Sequence, residues 1–192
     1  MKPVGLFGGT FDPIHIGHLI TAQSVFEIHR LQKIIFMPAY VSPLKIDYLS
    51  ASSEDRTKMV ELAIKDYPYF ELSRYEIEKH KISYTIDTLK NLKKRYDKVE
   101  LIIGYDNYLV FNKWKQADEI LQLAKVVVLN RRVDKMGKDE QDERFIFIDN
   151  PIIQITSTEI RERVRKNMPI DFLVHPKVKE YIEKKNLYSG SR

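Results

Sequence analysis

Short, nearly continuous apolar runs recur along the chain at residues 4–7, 33–37, 99–103 and 125–129, with a shorter one at 145–148 and a weaker one at 70–72. Apolar runs of this length predict strands buried on both faces, as in a parallel sheet. Between them the spacing changes to a helical period. Leu19, Ala22, Val25 and Phe26 mark a helix over 16–29, and Met59, Val60, Leu62, Ala63 and Ile64 mark one opening at Glu54. Ile86, Leu89, Leu92 and Tyr96 share a face of a third helix, with Thr85 as its expected N-cap. Residues 114–123 are amphipathic, and Thr156 or Ser157 is placed to cap a helix running to Arg165. Pro169 and Pro176 punctuate the chain after that helix, and 178–185 forms a last amphipathic helix. Residues 74–77 extend or succeed the weak strand. The tail 189–192 is expected to fray.

Strands alternating with helices predict an α/β fold: a Rossmann-like doubly wound parallel sheet with helices on both faces. We expect one domain over 1–192, with a helical C-terminal part over about 151–188. In such folds a ligand lies beyond the carboxyl ends of the strands, at the switch point. The loops after Phe7, Met37, Ile103 and Leu129 should therefore converge. Residues 39–53 form a long polar stretch after a strand, a length that suits a functional loop. The charged segment 133–143 reads as a surface loop.

Composition narrows the class. The chain has 192 residues, 43% hydrophobic and 31% charged, which suits a globular protein able to build a core unaided. It has no cysteine, so thiolate metal sites, disulfides and cysteine nucleophiles are excluded. No run approaches the ~18 apolar residues of a membrane span, and no signal-like segment opens the chain. A cytoplasmic protein is expected. The net charge of +5 is dispersed and accompanied by no nucleic-acid-binding motif, so it suits an anionic small ligand better than nucleic acid.

The densest chemistry lies in residues 5–19. An apolar strand runs into Gly8, Gly9, Thr10 and Phe11, and a helix restarts beyond Asp12 and Pro13. A strand, a glycine turn and a helix start can hold a phosphate on backbone N–H groups. The pattern is neither a Walker A loop nor Gly-x-Gly-x-x-Gly. His15 and His18 then stand one helical turn apart, able to face one point. Such a pair can be structural, can ligate a metal, or can stabilise charge on a reacting phosphate. In the last case a triphosphate favours the protonated donor form.

Gly8-Gly9-Thr10-Phe11-Asp12-Pro13-Ile14-His15-Ile16-Gly17-His18 resembles the Gly-x-Thr/Phe-x-Pro-x-His-x-Gly-His signature of the nucleotidyltransferase superfamily. Its Gly-Gly-Thr-Phe-Asp-Pro form is similar to that of bacterial nicotinate-nucleotide adenylyltransferases. Ser83-Tyr84-Thr85-Ile86-Asp87-Thr88, Ile103-Gly104-Tyr105-Asp106, Trp114 and Ile155-Thr156-Ser157-Thr158-Glu159-Ile160-Arg161 resemble further segments of that family, in the same order. The sequence departs from it at Ser42-Pro43-Leu44-Lys45, at Asp55-Arg56, and at Tyr105, and the departures at Leu44 and Tyr105 bear on the acceptor side.

The resemblance implies the HUP-like nucleotidyltransferase fold and an adenylyl transfer from ATP to nicotinate mononucleotide in NAD biosynthesis. It implies ATP binding by Gly8, Gly9, Thr10, Phe11, Gly104, Ser157 and Thr158, and catalysis by His15, His18 and Arg161. It implies acceptor binding by Lys45, Tyr84, Thr85, Tyr105, Asp106 and Trp114. Mg²⁺ would enter through the ATP phosphates rather than in a protein cage. Nicotinamide mononucleotide or phosphopantetheine as acceptor, and a non-catalytic nucleotide sensor, are the alternatives. A homo-oligomer stays open, and neither nucleic acid nor membrane is expected as a partner.

Overall fold

The computed structural model describes residues 2–43, 51–129 and 142–190. Six strands form one sheet: β1 (Val4–Gly9), β2 (Ile34–Pro38), β3 (Phe70–Leu72), β4 (Val99–Gly104), β5 (Lys125–Leu129) and β6 (Phe145–Ile148). Their order is β3-β2-β1-β4-β5-β6, and every pairing is parallel. The chain leaves β1 toward β2 and β3, then returns to the other side as β4. The switch point therefore lies between β1 and β4, just where the glycine turn leaves β1.

The two faces of the sheet are covered by different helices. Phe7, Ile34, Phe36, Ile102 and Val127 point to one core, shared with α1 (Ile16–Ile28), α2 (Ser53–Ile64), α7 (Ser157–Arg165) and α8 (Pro176–Lys184). Leu6, Ile35, Met37, Leu101 and Val128 point to the other, shared with α4 (Thr85–Leu92), α5 (Tyr105–Leu109) and α6 (Ala117–Leu123). The side-chain period of two splits each apolar run between these cores, which is why the runs are continuous rather than alternating.

Three local features refine the sequence reading. Residues 74–77 do not continue the strand: Tyr75–Glu78 is a one-turn helix, α3. Its Glu76 turns to α4, accepting from the Thr88 hydroxyl at 2.5 Å, and burial raises the pKa of this carboxyl. Thr85 is not the N-cap of α4. Tyr84 holds that position with extended backbone and no side-chain cap bond, so Thr85 is the first helical residue. The amphipathic segment 114–123 is divided. A 3₁₀ turn at Phe111–Lys113 ends at Trp114, and α6 begins only at Ala117, after Gln116 in the left-handed region with φ 56°. That conformation cannot continue a right-handed helix. Most of the segment 133–143, and Lys45 within the stretch 39–53, lie outside the described residues.

Phe36 anchors the first core beneath the glycine turn. It is fully buried, with Phe7, Phe11 and Phe70 ring centroids at 5.5, 5.8 and 5.1 Å. Phe36→Ala should cost about 3–5 kcal/mol in denaturant unfolding, through lost transfer energy and the cavity left behind. Ile28→Ala, at a side chain 51% exposed, should stay within about 0.5 kcal/mol.

Candidate active site

The turn after β1 is built by pulling its carbonyls inward. Gly9 O accepts from Ala39 N at 2.9 Å. Thr10 O accepts from Arg56 Nη1 at 2.7 Å. Asp12 O accepts from Arg161 Nη1 at 2.6 Å, and Pro13 O from Ser157 Oγ at 2.9 Å. In a trans peptide the N–H points opposite to the C=O. Fixing the carbonyls of Gly9 and Thr10 therefore turns the N–H groups of Thr10 and Phe11 to the other side, as donors for an anion. Phe11 sits at φ 49°, and its ring is core, edge-on to Phe7 at 5.7 Å. A Cβ on Gly9 would meet that ring at 3.0 Å, whereas one on Gly8 would meet nothing within 4 Å. Gly8 is exposed at the carboxyl end of the central strand. The space above it is open.

His15 and His18 cap the start of α1 reciprocally. His18 N donates to His15 Nδ1 at 3.3 Å, and His15 N donates to His18 Nδ1 at 3.2 Å. The rings stack with centroids 3.6 Å apart. With Nδ1 of each ring engaged at the backbone, Nε2 is the nitrogen each imidazole has left to turn toward a ligand. Gly17 is part of this device. A Cβ there would lie 3.0 Å from His15 Nδ1 and 3.3 Å from Ile153 Cγ2, so only glycine lets the imidazole pack this closely.

Behind the turn lies a buried charged cluster. Asp12, Arg56 and Arg161 are 3%, 3% and 4% exposed. Asp12 Oδ1 accepts from Ala51 N at 3.1 Å and from the Tyr188 hydroxyl at 2.8 Å, while Oδ2 lies 3.6 Å from Arg161 Nη1. Arg56 also donates to Tyr40 O at 2.9 Å and Ala51 O at 3.3 Å. Burial lowers the pKa of the Arg56 guanidinium, and the Asp12 charge opposes that shift. Two guanidiniums face one carboxylate here, an excess of positive charge under a turn that offers N–H donors.

The resemblance casts Arg161 as an arm over the departing phosphates. In this structure its guanidinium holds Asp12 O and, at 3.0 Å, Thr158 Oγ1. Ser157 spends its hydroxyl on Pro13 O and so ties α7 to the turn. Thr156 is the N-cap, accepting from Glu159 N at 3.1 Å.

The acceptor-side residues gather over the other face of the sheet. The segment before α4 is pinned to the end of β2: Ser83 N donates to Val41 O at 2.9 Å, Tyr40 N to Ser83 Oγ at 3.0 Å, and Val41 pairs with Ile82. Tyr84 and Trp114 pack against the second core, and Lys115 Nζ lies 4.4 Å from the Tyr84 ring centroid. Trp114 is half-buried over Phe111, and its indole Nε1 is buried with no hydrogen-bond partner among the described residues. Gly104 is the N-cap of α5, and Asp106 is exposed in its first turn. Tyr105, expected at the acceptor, is 8% exposed and packs into the second core beside Tyr108 at 5.6 Å. The chain turns into α5 directly after β4, and this carries its ring inward.

Sequence reading missed Arg56, Gly17, Tyr188 and the side chain of Asp12. Arg56 left a signal: it stands three, four and seven residues before Met59, Val60 and Ala63, on the apolar face of α2.

Residues 6–163 match the family model described as cytidylyltransferase-like. A probable nicotinate-nucleotide adenylyltransferase of Caldicellulosiruptor saccharolyticus is 44% identical, covering 96% of this chain and 98% of the relative. The nicotinate-nucleotide adenylyltransferase of Bacillus subtilis is 40% identical, covering 99% of this chain and all of the relative. In fold, the chain is similar to a Plasmodium falciparum nicotinic acid mononucleotide adenylyltransferase complexed with NaAD, at TM-score 0.81 and 21% identity, covering 98% of each chain. With identity of this level running the length of both chains, the protein belongs to the cytidylyltransferase-like family and, within it, to the nicotinate-nucleotide adenylyltransferases.

Proposed function

We propose that the protein transfers the adenylyl group of ATP to the 5′-phosphate of nicotinate mononucleotide, giving deamido-NAD and pyrophosphate in NAD biosynthesis. The substrate pair follows from the activity named for its relatives. The observation that carries the chemistry is the turn 8–18, with carbonyls drawn inward and two mutually capped histidines beside it. No step calls for a covalent enzyme intermediate. An oxygen of the acceptor phosphate attacks the α-phosphorus of ATP. The bond from that phosphorus to the bridging oxygen breaks, and pyrophosphate leaves with the electron pair. Catalysis is then positioning and charge stabilisation.

In this reading His15 and His18 donate from Nε2 to the α- and β-phosphates, and the N–H groups of Thr10 and Phe11 line the ATP path beside Gly8 and Gly9. Ser157, Thr158 and Arg161 serve through the turn, holding its carbonyls and adding buried positive charge beneath the leaving pyrophosphate. Tyr84, Thr85 and Trp114 frame the pyridine ring, with Gly104 and Asp106 toward the sugars and Lys45 from the long loop. ATP is taken as its Mg²⁺ complex. Among the described residues no group of three or more His, Asp or Glu side chains could hold a metal ion, so the ion would be held through phosphate oxygens, where it neutralises developing charge. The chain is read as a single domain working in the cytoplasm.

Pyrophosphate release in the presence of ATP, Mg²⁺ and nicotinate mononucleotide should run well above the rate with either nucleotide alone. No release, with ATP still bound, would identify a sensor. His18→Ala should lower kcat by about a thousand-fold, roughly 4 kcal/mol of transition-state stabilisation, with an unchanged circular dichroism spectrum. An unaltered kcat removes His18 from the mechanism. Gly8→Ala should leave the melting temperature within about 2 °C, because its methyl meets open space, yet raise the KM for ATP by about ten-fold.

A further inference from the structure

We propose that Tyr188, beyond the end of α8, is a positioning residue for the nucleotide phosphates and acts through Asp12. The inference rests on reading the stretch 8–18 as the polyphosphate site. Tyr188 meets that stretch through the Asp12 carboxylate, to which its hydroxyl donates at 2.8 Å.

The chain reaches this point by a specific path. α8 packs along α2, and the Tyr181 hydroxyl donates to Asp55 Oδ1 at 2.8 Å at the start of that helix. After α8 the chain turns back through Asn186 and Tyr188, at φ 53° and 64°. Left-handed backbone is unfavourable for a tyrosine, so the contacts made by its side chain must hold it there. Leu187 N donates to Ile182 O at 3.0 Å and fixes the turn. Tyr188 then enters the charged cluster half-buried.

Asp12 is the residue through which a distant hydroxyl can reach the site. Its carbonyl is held by Arg161 and its neighbours' carbonyls by Arg56 and Ser157. Among the described residues its side chain is held at Oδ1 by two donors, Ala51 N and the Tyr188 hydroxyl. Oδ2 has no hydrogen-bond partner among them and faces Arg161 Nη1 at 3.6 Å. The Tyr188 hydroxyl therefore fixes the carboxylate on the Ala51 side. Without it, one bond would remain, and the nearby guanidinium charge would draw the carboxylate across. That movement would shift the Phe11–Asp12 peptide, and through Phe11 the adjoining Thr10–Phe11 peptide that aims a donor N–H. Burial and the Asp12 charge push the Tyr188 pKa well above the usual tyrosine value. The hydroxyl thus remains a donor at any pH at which the enzyme works.

The test is Tyr188→Phe in the full chain, which removes one oxygen and keeps the ring. The readouts are calorimetric affinities for Mg-ATP and for pyrophosphate, steady-state constants for nicotinate mononucleotide, and circular dichroism. The expected result is about five-fold weaker binding of both ATP and pyrophosphate, the effect of one net hydrogen bond, with the mononucleotide KM unchanged. In an Asp12→Asn background the same substitution should add nothing further, because the charge it restrains is gone. Equal ATP affinity in wild type and Tyr188→Phe overturns the inference. So does a parallel rise in the ATP and mononucleotide constants with loss of helicity, which marks a general structural role. Wild-type protein that binds neither ATP nor pyrophosphate overturns the polyphosphate reading itself and this inference with it.

Discussion

The structure depends on a small buried charge cluster in which two arginines and one aspartate hold a turn inside out. Placing guanidinium groups out of water costs several kcal/mol per ion unless their N–H groups are satisfied. Arg56 meets that condition almost wholly on backbone carbonyls, those of Thr10, Tyr40 and Ala51. Arg161 places Nη1 on Asp12 O and Nη2 on Thr158 Oγ1. The effect is mechanical as well as electrostatic. A backbone that would ordinarily present carbonyls and N–H groups alike to a bound anion has its carbonyls occupied from behind. What remains for a phosphate is the donor side of the turn, over an excess of positive charge.

Other features depend on that arrangement. The aromatic cluster of Phe7, Phe11 and Phe36 gives the turn a rigid floor, and His18 packs against it with its ring 5.2 Å from that of Phe11. The next helix, α1, begins with two imidazoles capping each other, so both Nδ1 atoms are used in folding and both rings are oriented before any ligand arrives. That is preorganisation: donors aimed in advance, with no reorganisation at the moment of reaction. The sheet divides the labour. The turn and its charged cluster belong to the core under α1, α2, α7 and α8, and the acceptor-side aromatics to the core under α4 to α6. The two sets meet at the carboxyl ends of β1, β2 and β4.

The fold was legible because its strands are short and apolar on both faces, a pattern that periodicity reads well. The turn was legible because glycine, proline and histidine each carry a distinct local role there. Less legible were features set by long-range partners. Tyr105 looks like an acceptor residue in a motif, yet α5 turns it into the core. The bond from Arg161 to Asp12 O joins residues 149 positions apart, which no local pattern marks. Thr85 looks like a cap, yet the chain bends one residue earlier, where Ser83 is held by Val41. Arg56 was readable in principle, as a charge on the apolar face of α2. Tyr188 was not, since no local pattern marks a tail residue that returns to a turn far away in sequence.

The central claim is that inward-held carbonyls and capped histidines make the turn 8–18 a phosphate cradle before substrate binds. A crystal structure with Mg²⁺ and a non-hydrolysable ATP analogue tests it most directly. The phosphates should lie against the N–H groups of Thr10 and Phe11 and the Nε2 atoms of His15 and His18. The carbonyls of Thr10, Asp12 and Pro13 should stay on Arg56, Arg161 and Ser157. Phosphates bound elsewhere, or a turn that flips its peptides to receive them, would contradict it.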